Sequence, residues 1–125
     1  MPRSRIPALA LAADVVAVVV FVAVGRINHA GSADLLGLLG TAAPFLAGLA
    51  AVWSAPIVRV DPAGLRAGAV VVAGTAGVGL VLRLAFTGDL PPTFAAVTAV
   101  SLAVLMLGWR ALSLVVARRA AHRVT

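Results

Sequence analysis

Apolar positions fall into four long blocks, at about 6–25, 35–54, 67–86 and 93–117, separated by short polar links. Each block holds about 20 residues or more. At ~1.5 Å per residue, such a length crosses the ~30 Å hydrocarbon core of a bilayer. Helices are the open-ended way to satisfy the backbone in that medium. The third block, "AGAVVVAGTAGVGLVLRLAF", is rich in Val and Gly and would make a poor helix in water. In lipid, glycine is common in spanning helices and lets neighbours approach closely. The links "RINHAGSAD", "APIVRVDPAGLR" and "TGDLPP" are short, and the middle one carries Pro56 and Asp61-Pro62 as breakers. Short links favour antiparallel neighbours. The pattern therefore predicts an all-α fold. It is an integral membrane four-helix bundle of up-down topology, forming a single domain over residues 1–125. A cleaved signal peptide fits the first block poorly, because the apolar run is too long for an h-region and Asp14 interrupts it.

Composition sharpens this picture. Hydrophobic residues make up 62% of the chain and charged residues 11%, too little polar surface to cover a soluble domain. All ten cations are Arg, against four acids, giving a net charge of +6. The arginines stand singly between apolar blocks, as in membrane orientation, and no nucleic-acid motif is present. The Arg-only, Ala/Gly/Val-rich usage suggests a GC-rich bacterial genome. The absence of Cys excludes disulfides, thiol catalysis and cysteine metal sites.

Charge placement predicts orientation. Arg3, Arg5, Arg59, Arg66, Arg118, Arg119 and Arg123 fall on one side of a four-span arrangement, whereas Arg26 and Arg83 fall on or near the other. The positive-inside rule puts both termini in the cytoplasm of a cell-membrane protein. Trp53, near the cytoplasmic end of the second block, is expected as an interfacial aromatic, and Trp109 is placed in the same class.

An acid inside a spanning helix costs about 2.5 to 3.5 kcal/mol and usually faces a bundle interior. Asp14 lies roughly 12 Å into the membrane, counted from Ile6. Arg110, counted from Arg118, lies at the same depth on the fourth helix. A buried Asp14–Arg110 ion pair is the expectation. The alternative has Arg110 snorkelling to headgroups, with Asp14 protonated or in an oligomer seam. Near the outer ends, Arg26, His29 and Arg83 make a candidate site for a small anion or a lipid headgroup; the bland reading is interfacial anchoring. Pro44 predicts a kink in the second helix. Ala69, Ala73 and Gly77 recur every fourth residue, as do Ala95, Ala99 and Ala103, and such ladders favour close helix packing. "GTAGVG" lacks the spacing and the lysine of a nucleotide loop. His29 has no second histidine on its side, so no metal or cofactor is expected.

Five short motifs together resemble one family. They are Asp14 early in the first helix, Gly25-Arg26 with His29, Pro44-Phe45 with Gly48, Gly79 with Leu82-Arg83, and "LGWRAL" around Trp109 and Arg110. In that order they resemble the small bacterial and archaeal membrane proteins of domain-of-unknown-function family 3054, across nearly the whole chain. The resemblance implies a short integral membrane protein, with Asp14, Arg26, His29, Arg83, Trp109 and Arg110 as positions to watch. It implies no activity.

Three functions follow as expectations. The first is a small transporter or channel-like protein, dimeric because four helices leave little room for a pathway in one subunit. The second is a structural or partner-binding membrane protein whose buried charges specify packing. The third, a lipid-modifying enzyme, lacks any catalytic constellation, so no enzyme is expected. The expected partners are the bilayer, an anionic solute or headgroup, and a second copy, with no nucleic acid.

Overall fold

The structure, a computed structural model, describes residues 6–30 and 35–124, and the side chains of 7–25 and 36–121. Among the described residues five helices follow in order: α1 (Ile6–Ala30), α2 (Leu35–Trp53), α3 (Pro56–Val60), α4 (Leu65–Thr87) and α5 (Pro92–Val124). α1, α2, α4 and α5 are each long and apolar enough to cross a membrane, and the chain reads as a multi-pass membrane protein.

Three features differ from those the sequence predicts. α1 runs on to Ala30 instead of ending near residue 25. The middle link is not wholly irregular: Pro56 opens the short helix α3, since its fixed φ and missing N–H suit the first turn. The last helix runs on to Val124 instead of stopping near residue 117, and its 33 residues span about 50 Å. That exceeds the hydrocarbon core, so its end, with exposed Arg118 and Arg119, projects beyond it. α4 stops where Gly88 takes a left-handed φ of 70° and donates its N–H to Leu84 O at 2.8 Å. α2 continues through Pro44, which is buried.

The long helices form a ring. α1 packs on α2 and α5, and α4 packs on the same two, with α2–α4 the most extensive contact. Glycines set that closeness. A Cβ on Gly48 would lie 3.0 Å from Thr75 O, and one on Gly74 would lie 2.5 Å from Val52 Cγ2. A Cβ on Gly79 would enter the Phe45 ring. The expected ladder on α4 is corrected here, because Ala69, Ala73 and Gly77 are exposed and Gly77 has nothing within 4 Å of a built Cβ. α4 turns inward the face bearing Gly68, Thr75 and Gly79 instead. The physical reason is bulk: Phe45 and Arg110 are among the largest fully buried side chains, and they need the volume a methyl would fill.

The core gathers Val18, Phe21, Phe45, Leu49, Val71, Leu102 and Met106 around the ring axis. The rim is also apolar. Val16, Leu36, Val81, Phe86, Val104 and Leu112 are all more than half exposed. Such a surface would drive aggregation in water and is at home against acyl chains.

Candidate functional site

The polar centre sits inside the bundle, where Asp14 and Arg110 are both fully buried. Four elements deliver it: α1 brings Asp14, α2 ends at Trp53, α5 brings Trp109 and Arg110, and the turn between α3 and α4 brings Pro62.

Asp14 and Arg110 meet in a fork. Nη1 donates to Oδ1 at 2.8 Å and Nη2 donates to Oδ2 at 2.8 Å. This bidentate geometry matches the planar guanidinium to the planar carboxylate. Two indoles complete the carboxylate shell. Trp109 Nε1 donates to Oδ1 and Trp53 Nε1 to Oδ2, each at 2.9 Å. Every carboxylate oxygen therefore accepts two hydrogen bonds. The guanidinium is equally well held. Nε donates to Pro62 O at 2.9 Å, and Nη1 also reaches Met106 O, one turn back, at 3.2 Å. Its carbon lies 4.4 Å from the Trp109 ring centroid. A charge in a low-dielectric interior is tolerated only when paired and hydrogen-bonded, and this pair is both. Gly68 admits it: a Cβ there would lie 2.6 Å from Arg110 Cδ.

The alternative of a snorkelling Arg110 does not describe this geometry, because the side chain is directed at Asp14 and has no exposed surface. The two tryptophans, both half-buried, are also partners of the ion pair. Both indole N–H groups turn inward to Asp14, whose carboxylate offers four acceptor positions. The signal for Trp109 was present in its adjacency to Arg110. Nothing local signalled Trp53, which meets Asp14 across 39 residues.

A second cluster ties the four long helices together through other residues. Phe21 of α1 meets Phe45 of α2 edge-to-face at 5.6 Å between centroids, and Phe45 meets Phe94 of α5 at 6.5 Å. The Arg83 guanidinium of α4 covers Phe94 at 4.4 Å. Arg83 thus rests on an aromatic stack. Arg26 and His29 lie on α1, and their side chains fall outside the described residues. One polar atom in the core, the Thr75 hydroxyl, makes no hydrogen bond among the described residues. Those residues also bring together no group of three or more metal-ligating side chains.

The chain matches the family described as "Protein of unknown function (DUF3054)" over residues 11–113. It belongs to that family. The matched span contains Asp14, Trp53, Arg83, Trp109 and Arg110, so both clusters lie within the family's own extent. No curated protein and no solved structure matches the chain.

Proposed function

We propose that this DUF3054 protein is a structural or partner-binding membrane protein. In this reading its buried charges fix helix order and register and do not handle a solute. The observation behind it is the saturation of Asp14. Four donors from this chain occupy its two oxygens, so the carboxylate has no free position for a passing cation or proton donor. A polar core that is fully satisfied specifies one arrangement of otherwise similar apolar helices.

The same contacts support an up-down course with both tails in the cytoplasm. Asp14 early in α1 meets the last residue of α2 and the second half of α5, and its partner Arg110 reaches Pro62 in the turn before α4. Arg59, Arg66, Arg118 and Arg119 cluster towards that end, as the positive-inside rule requires of a cytoplasmic face. A dimer, expected of a transporter, is not required by a packing role.

The transport reading draws on Arg83, which is half-buried and has no carboxylate partner among the described residues. Proteoliposome flux separates the two. Chloride and phosphate leakage from wild-type vesicles is expected to equal that from vesicles carrying the paired change Asp14→Leu with Arg110→Met. Anion flux above the protein-free background that disappears on Arg83→Met would overturn the packing reading.

A further inference from the structure

Beside the short helix α3 a recess of about 480 Å³ opens, lined by none of the side chains of the two clusters described above. Its walls are Pro56, Ile57, Val60, Asp61, Arg66 and Ala67. Two features make it more than a fold in the surface. Asp61 and Arg66 face one recess with opposite charges, yet they form no ion pair with each other or with any described residue. Ile57 and Val60, at 42% and 83% exposed, present apolar surface on the same wall. The recess lies where α2 ends and α4 begins, at the border of the apolar spans, so it sits at headgroup level.

We propose that this recess binds the headgroup of an amine-bearing zwitterionic phospholipid, of the phosphatidylethanolamine type. The phosphate lies against the Arg66 guanidinium, a fork of N–H donors suited to phosphate oxygens. The primary ammonium donates to the Asp61 carboxylate. The glycerol and upper acyl chain run along Ile57 and Val60. Gly64 leaves room for the Asp61 carboxylate, since a Cβ there would lie 2.5 Å from Asp61 Oδ2. An anionic headgroup without an amine would meet Asp61 unfavourably. A choline headgroup carries the charge but has no N–H to donate.

The test is lipid retention by native mass spectrometry of the full chain in mild detergent, with phosphatidylethanolamine, phosphatidylcholine and phosphatidylglycerol of matched acyl chains. Wild-type protein is expected to retain the ethanolamine lipid about fivefold better than either competitor, as charge-assisted bonds on both sides of the headgroup imply. Asp61→Asn should abolish that preference and raise phosphatidylglycerol. Arg66→Gln should lower all three. Equal or greater retention of phosphatidylglycerol by wild type overturns the proposal, and that ranking needs no variant to fold. So does a preference that survives Asp61→Asn. Soluble glycerophosphoethanolamine should not displace the lipid; displacement at equal concentration would overturn the assignment to a membrane lipid.

Discussion

The separate costs of removing Asp14 and of removing Arg110 should add up to clearly more than the cost of removing both. Asp14→Leu strips the acceptor from two guanidinium nitrogens and two indole N–H groups at once. It leaves an uncompensated cation with no surface exposure, a change worth about 3–5 kcal/mol. Arg110→Met leaves Asp14 with its two indole donors but without a counter-charge, and it also deprives Pro62 O of its donor. A loss of about 3–5 kcal/mol follows here too. The double variant buries no charge. Its remaining defects are two unmatched indole N–H groups and one carbonyl, each worth about 1–3 kcal/mol at most and reduced by any water that enters. The unmatched indoles are already present in Asp14→Leu and the unmatched carbonyl in Arg110→Met, so they cancel in the cycle; the coupling energy comes from the charges and should be about 2–3 kcal/mol, the upper part of the range for contacting residues. Equilibrium unfolding in mixed micelles, by stepwise addition of a denaturing detergent, measures all four corners of the cycle. Fluorescence of Trp53 and Trp109 reports the site directly, because both indoles belong to it. Losses that add within about 0.5 kcal/mol would show that the two groups do not act as a pair, and the account of the core would fail.

Other consequences are narrower. Gly79→Ala drives a methyl into the Phe45 ring and should lower stability by about 1–3 kcal/mol, while Gly77→Ala, with nothing within 4 Å, should leave the midpoint unchanged; equal effects would contradict the helix rotation described. Trp53→Phe keeps the ring but removes one donor from Asp14 Oδ2, which predicts a loss of about 1–2 kcal/mol that vanishes in an Asp14→Leu background. Thr75→Val removes a buried hydroxyl that has no partner among the described residues and should hold or raise the unfolding midpoint; a clear drop would point to an acceptor for it. A fluorescent-protein fusion at the carboxyl end should light up and a periplasmic phosphatase fusion there should stay inactive, and the reverse would invert the orientation.

Much of the architecture was legible along the chain. The four spans were written as block lengths, because hydrocarbon thickness imposes a length whatever the sequence detail. Asp14 and Arg110 were placed at a common depth because residue count along a helix converts directly to distance. The start of α3 was only half legible: Pro56 read as a breaker, whereas its ring also suits the first turn of a helix.

Depth is a coordinate the sequence determined by itself; rotation about each helix axis is one that only the assembled bundle decided. In water, a polar stripe would have marked each outer face. Here lipid and core are both apolar, so the pattern does not distinguish them. The choice between the Ala69, Ala73 and Gly77 face and the Gly68, Thr75 and Gly79 face fell to volume, because only the latter clears Phe45 and Arg110. The rotations of α2 and α5 likewise turned Trp53 and Trp109 towards Asp14, and that of α4 seated Arg83 on Phe94. Close packing and the need to satisfy a buried carboxylate select among rotations, and both are properties of neighbours that meet only once the chain has folded.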